Sequence, residues 1–275
     1  MTSPLILVVC GAVLAGVLGS LFITISLSVD SWETITYDQD SLSTYLNANA
    51  SSEYSCTLAT SDTDFSVMEQ TQKVISSNGT QTSQVYKFYL FNTYSGVWRM
   101  CDALSDESRQ RLRTLTQNDV NRCFTFVTQY DEETSELPDM MKSIGRMQNS
   151  AASCFIVSVI DLVAAAAVGT FAIIQKQVSA CMVTGVLYCM AGLFSIFGLT
   201  IFHTKMYYEM YQCYNFEIDL NDLSELPDPA CAARIVSIGW AIPLSWVGVI
   251  MSLTAFGLWI FVTRAFRLIK SKTLI

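Results

Sequence analysis

The sequence predicts an all-α membrane fold: a four-helix transmembrane bundle with a small extracellular β-rich unit formed by the first loop. Three observations lead there. Of the 275 residues, 51% are hydrophobic and 15% are charged, whereas a soluble domain carries about 25% charged residues. The apolar residues gather into four blocks, each long enough for the ~20 residues a helix needs to cross hydrocarbon. The charges segregate by sign between the segments that join those blocks.

The first span covers residues 4–28 and holds no charge. The preceding Met1-Thr2-Ser3 has no basic side chain, and no small-residue cleavage site closely follows the run. The block is therefore expected to be a retained span and not a signal peptide. Its pairs Ala12/Gly16 and Ala15/Gly19 have the small-xxx-small spacing that lets helices approach closely. The second span, 151–174, holds one charge, Asp161, and the run Ala164 to Ala167 with Gly169 offers another close-packing face. An intramembrane carboxylate is costly, and a protonated, hydrogen-bonded state between helices, a later start of the span that leaves Asp161 higher, or a transport or gating role accounts for one. The third span, 178–202, and the fourth, 235–262, hold no charge. Pro243 in the fourth is expected to kink or loosen that helix.

Orientation follows from the basic residues. The three-residue segment 175–177 contributes Lys176, and the tail 263–275 contributes Arg264, Arg267, Lys270 and Lys272, with no acid in either segment. The loop 29–150 carries a formal charge of −8 and the loop 203–234 one of −4. The basic segments are expected in the cytosol, with both termini, and the two acidic loops outside a plasma membrane. Lys142 and Arg146 oppose the rule locally, but long loops cross largely regardless of charge. Two glycosylation sequons agree with this topology: Asn49-Ala50-Ser51 and Asn78-Gly79-Thr80 both fall in the first loop, and modification requires that side to be lumenal.

Nine cysteines are present. Cys10, Cys154, Cys181 and Cys189 lie in spans, where free cysteine behaves as a small apolar residue. Cys56, Cys101, Cys123, Cys213 and Cys231 lie outside, where disulfides are expected. The favoured pairs are Cys101 with Cys123 and Cys213 with Cys231, leaving Cys56 over. The rival arrangement bridges Cys56 to the second loop.

The first loop is long enough to fold. Val85 to Phe91 is rich in β-formers, Asn78-Gly79 upstream is a hairpin signal, and Gln72 to Ile75 supplies a pairing strand. Phe124 to Val127 reads as another strand. Ser105-Asp106-Glu107 opens a helix to about Leu115, with cap and acidic first turn where they are favoured. In the second loop Tyr207, Tyr208, Tyr211 and Tyr214 cluster around Cys213, which suits a contact surface or an aromatic belt at the membrane interface.

The combination of Trp32 just after the first span, Gly96-Val97-Trp98-Arg99-Met100-Cys101, and then Cys123 resembles the first-loop signature of the claudin superfamily. That group also holds the peripheral myelin proteins and the calcium-channel gamma subunits. Gly239-Trp240 at the opening of the fourth span is similar to the divergent claudin-domain-containing branch. Val97 stands where that signature has Leu, and the gap between the two cysteines is wider. Trp32 is expected to anchor the loop at the membrane surface. The resemblance implies one claudin-like tetraspan domain over 1–275. It implies a non-enzymatic cell-surface protein that organises cell–cell contacts or junctions, or an auxiliary subunit that modulates trafficking or gating of a channel or receptor in the same membrane. The implied partners are the lipid bilayer and other membrane proteins in cis or trans.

The terminal Thr273-Leu274-Ile275 resembles a PDZ-domain ligand, whose strand adds to a sheet edge while its carboxylate is captured. No enzyme constellation is found: His203 is the only histidine, so neither a histidine-based triad nor a multi-histidine metal site is supported. No phosphate-binding glycine loop or basic nucleic-acid patch is present, and no cofactor is expected.

Overall fold

A computed structural model describes residues 3–48, 54–57, 64–75, 81–117, 122–125, 139–211 and 226–272. The chain divides into two compact units: residues 1–32, 147–203 and 239–275, and residues 33–146 and 204–238.

The first unit holds α1 (Ser3–Ser28), α7 (Ala241–Lys272) and most of α4 (Asp139–Gln175) and α5 (Val178–Tyr211), whose residues 139–146 and 204–211 belong to the second unit. Each contains a stretch long and apolar enough to cross a membrane. The helices are packed through small residues, because without water to expel, close backbone approach and van der Waals contact must hold membrane helices together. A Cβ on Gly16 would stand 2.4 Å from the hydroxyl of Tyr188 on α5, and one on Gly19 would stand 2.8 Å from Ser252 Oγ on α7. Both small-xxx-small pairs of α1 are thus used inside this unit, with Ala12 and Ala15 buried. Gly169 on α4 meets Thr184 on α5 in the same way. Between those two helices Ser158 Oγ and Ser195 Oγ are 2.7 Å apart, and the Ser158 hydroxyl also lies 3.0 Å from the Ala191 carbonyl.

Four helix limits differ clearly from the apolar blocks, the end of α7 at Lys272 among them. Helix α4 starts at Asp139 and α5 runs to Tyr211, so helical backbone continues past the points where hydropathy falls. The apolar run that begins at Ile235 opens as a strand, β8 (Arg234–Ile238), and α7 begins only at Ala241. Ile235, Val236 and Ile238 are β-branched, and Val236 alone of the strand is buried, the pattern of a half-covered strand. This also corrects the expected kink: Pro243 falls in the first turn of α7, where its missing N–H would have no helical partner anyway.

The second unit carries two antiparallel sheets. The five-stranded sheet has the order β7-β6-β5-β1-β8, from β7 (Cys123–Thr125), β6 (Arg99–Asp102), β5 (Thr93–Ser95), β1 (Glu33–Tyr37) and β8. The three-stranded sheet has the order β2-β3-β4, from β2 (Tyr54–Thr57), β3 (Phe65–Ile75) and β4 (Gln81–Phe91). The β-rich unit is thus not made by the first loop alone, since β8 comes from the segment before the last span and pairs along β1 from Glu33↔Ile238 to Tyr37↔Arg234. The expected strands at 72–75 and 85–91 lie within β3 and β4, which pair in register from Phe65↔Phe91 to Ile75↔Gln81. The Asn78-Gly79 turn between them lies outside the described residues.

Side-chain alternation gives the three-stranded sheet two faces with separate cores. Met68, Phe88 and Leu90 pack with Leu42 of α2 (Gln39–Ala48) and with Leu226, Ala230 and Ala233, the last two on α6 (Asp228–Ala233). Phe65 and Phe91 pack with Leu104 and with Leu112 of α3 (Asp106–Thr116). Helix α3 starts where its cap predicts: Ser105 accepts from the Ser108 N–H at 3.3 Å, Asp106 and Glu107 fill the first turn, and Gln117 ends the helix in the left-handed region at φ 58°. An acidic first turn complements the positive end of the helix dipole.

Candidate functional site

The signature residues occupy three places. Trp32 is fully buried in the helical unit. Its ring meets Phe155 of α4 edge-on at 5.3 Å and Phe202 of α5 at 4.9 Å, and its indole N–H donates to the Ser26 carbonyl at 2.6 Å. It is therefore a packing wedge between helices and not an exposed interfacial anchor. Buried indoles need a partner for the N–H, and the end of α1 supplies one. The Trp32 carbonyl accepts from the Gly239 N–H at 2.8 Å, and the Ser31 carbonyl accepts from the Ala241 N–H at 3.2 Å. A Cβ on Gly239 would stand 1.9 Å from the Ser31 oxygen, so a glycine is required by this close backbone approach.

Gly96, Val97 and Trp98 make the turn between β5 and β6, with the Gly96 N–H donating to the Arg99 carbonyl at 2.8 Å. Val97 is fully buried. Further along β6, Cys101 is joined to Cys123 across the paired strands β6 and β7, where the two are register partners with Cα atoms 4.0 Å apart. Beside this bond Asp102 is paired with Arg109 of α3, whose guanidinium also donates to Asp106 at 3.3 Å. The turn, the disulfide and the helix are thereby tied into one piece.

A group the sequence did not single out lies in the second unit. Glu33 on β1, Lys205 and Glu209 on α5 are all buried. Lys205 Nζ is 2.8 Å from Glu33 Oε2 and 3.1 Å from Glu209 Oε1, and Ser95 of β5 donates to Glu33 at 3.2 Å. Arg234 of β8 acts electrostatically on both carboxylates. Burial alone would raise the Glu33 carboxyl. The Lys205 ammonium, with hydrogen bonds and Arg234, more than offsets it and holds the carboxyl below its ordinary value. Two acids and two bases are thus gathered where isolated charges would be prohibitive. The available signal was the i,i+4 pair Lys205/Glu209 in a tyrosine-rich stretch that continues the third apolar block as helix.

The remaining sequence candidates fall as follows. Asp161 is half-buried on α4, with Oδ2 enclosed and without a hydrogen-bond partner among the described residues. Tyr207 and Tyr211 are exposed, with their rings tilted to one another and 4.6 Å apart, and Tyr208 is edge-on to Tyr207 at 6.1 Å. Cys231 is disulfide-bonded, and Cys10, Cys154, Cys181 and Cys189 are free thiols. Asn49, Asn78, Cys213, Tyr214 and the tail Thr273, Leu274, Ile275 lie outside the described residues.

A polar hollow of about 290 Å³ in the second unit is lined by Tyr37, Asp64, Ser66, Phe91 and Asn92 among others, with Asp64 its one carboxylate. Among the described residues that line it there is no nucleophile–base pair of the kind acyl transfer needs. Among the described residues no group of three or more His, Cys, Asp or Glu is placed to hold a metal ion.

Four apolar helices, with a disulfide-tied antiparallel sheet in the segments between them, define a multi-pass membrane protein. The family model for PMP-22/EMP/MP20/Claudin tight junction proteins matches residues 17–261, and the chain belongs to that family. A comparison with curated proteins finds no match.

Proposed function

We propose that the protein is a non-enzymatic, claudin-like cell-surface component that organises cell–cell contacts, with its folded inter-span segments outside the cell making them. The observation that carries this reading is the second unit. It has two sheets, two apolar cores and a covalent staple of its own. Ordering so much backbone costs conformational entropy of about 1–2 kcal/mol per residue. A segment that only joined two spans would need none of that order, whereas a contact surface must hold its shape. The cytosolic placement of both termini and residence in the plasma membrane belong to the same reading, through the basic residues of 175–177 and 263–275 and the positive-inside rule. So does PDZ-scaffold docking of the Thr273-Leu274-Ile275 tail.

The test is a mixed-cell contact assay. The tagged protein is expressed in non-adherent cells and imaged where two expressing cells meet and where an expressing cell meets a non-expressing one. Enrichment confined to contacts between expressing cells is expected. A uniform surface signal, with a multi-span partner co-purifying in mild detergent, would replace this reading with that of an auxiliary subunit.

A further inference from the structure

Cys231 is held in a disulfide, and it packs against the core cluster formed by Met68, Phe88, Leu90, Leu42, Ala230 and Ala233. The backbone register of the three-stranded sheet sets a second cysteine position opposite a residue of this cluster. Cys56 on β2 is the register partner of Met68 on β3, and antiparallel register partners project to the same face with Cβ atoms about 4.5–5.5 Å apart. Met68 is fully buried in that same cluster, while the opposite face, with Phe65 and Phe91, belongs to the other core. The alternation of β2 therefore assigns Cys56 to the Cys231 side. A second relationship agrees: α2 packs against both α6, which carries Cys231, and β2, which carries Cys56.

We infer that Cys231 is bonded to Cys56, so that the segment after the first span and the segment before the last are joined covalently. This replaces the Cys213–Cys231 pairing that proximity in sequence favours. Forming the bond removes two protons and two electrons from the two thiols. A disulfide-bearing thiol oxidoreductase takes them up by exchange and is itself reduced to the dithiol. The bond would close a loop of far greater length than the Cys101–Cys123 staple. In the chain-entropy account, longer loops gain more from closure.

Peptide mapping tests this directly. The full-length protein, made in secretory cells, is denatured with an alkylating reagent and without reductant. It is then cleaved after Glu and after Lys or Arg. Cys56 falls in peptide 54–69, Cys213 in 210–217 and Cys231 in 226–234. The expected product is 54–69 linked to 226–234, with 210–217 not bonded to either. A 226–234 peptide linked to 210–217, or carrying an alkylated Cys231, would overturn the inference. Cys213→Ser should leave the linked product unchanged, and Cys56→Ser should turn 226–234 into its alkylated form. If the Cys56 variant fails to fold, the wild-type map and the Cys213 variant still decide between the pairings.

Discussion

Lys205 Nζ lies 2.8 Å from Glu33 Oε2 with both side chains fully buried, although 172 positions separate the two residues in the chain. The pair fixes β1 to the far end of α5. Removing Lys205 leaves Glu33 and Glu209 buried together without the ammonium between them, a loss of about 3–5 kcal/mol. Lys205→Met is therefore expected to lower the thermal unfolding midpoint sharply in detergent-solubilised protein. Glu33→Gln is expected to lower it less, because Lys205 keeps Glu209 at 3.1 Å. Neutralising both at once should cost less than the two single losses added together, because the residues share one interaction. Strictly additive losses would show that the pair does not act as a unit.

Gly239 makes a second, sharper prediction. Any Cβ there meets the Ser31 carbonyl oxygen at 1.9 Å and its carbon at 2.5 Å, and backbone cannot swing aside as a side chain can. Gly239→Ala should cut surface delivery and the unfolding temperature together. The control is Gly257→Ala on α7, where nothing lies within 4 Å. There the exchange should be neutral or stabilise by up to about 1 kcal/mol, since glycine is the poorer helix former. Equal behaviour of the two variants would remove the close approach from the account.

These two sites mark the limit of what the sequence makes legible. The four apolar blocks, the β3–β4 pairing and the α3 cap are local patterns, written in hydropathy, alternation and one Ser-Asp-Glu run. The signature residues could likewise be read at their own positions, although Trp32 proved to be a buried wedge and not a surface anchor. Strand β8 could not be read. Its Ile-Val-Ser-Ile run is as apolar as the span that follows, and only its pairing with β1 makes it a strand. Of the Glu33–Lys205–Glu209 group only the i,i+4 pair Lys205/Glu209 left a local trace. Glu33 looks like an ordinary loop charge until β1 and the extension of α5 are brought together. Small elements such as α2, β2 and α6 depend on the same tertiary packing and give weak signals alone.

The Cys101–Cys123 staple predicts an unusual equality. The bond closes a separation of 22 residues, and loss of such a link costs about 2–5 kcal/mol. Cys101→Ser, Cys123→Ser and the double variant should all lose a similar amount, because any of the three abolishes the same bond. The comparison is made by chemical unfolding followed through tryptophan fluorescence, Trp98 standing in the turn that precedes β6. A double variant much less stable than either single variant would mean that the side chains matter by packing and not by the covalent link.

Asp64 supplies a pH dependence with a defined sign. Its carboxylate accepts the Ser105 N–H at 2.8 Å and the Ser108 hydroxyl at 3.3 Å, tying the start of β3 to the capped end of α3. Hydrogen bonds from Ser105 and then Ser108 outweigh partial burial and hold its pKa below the ordinary 3.8. A carboxyl depressed on folding adds stability above its unfolded pKa and loses it as pH falls through the folded value. Wild type should thus be more stable than Asp64→Asn at pH 7, and the difference should shrink below about pH 4. The carboxylate is exposed and screened, so the gap at neutral pH stays under about 1 kcal/mol. Unfolding of both proteins is compared from pH 7 down to pH 3. A gap that widens on acidification would show that the Ser105 and Ser108 bonds do not favour the ionised form, and the β3–α3 tie would then rest on the apolar cluster of Phe65, Phe91, Leu104 and Leu112.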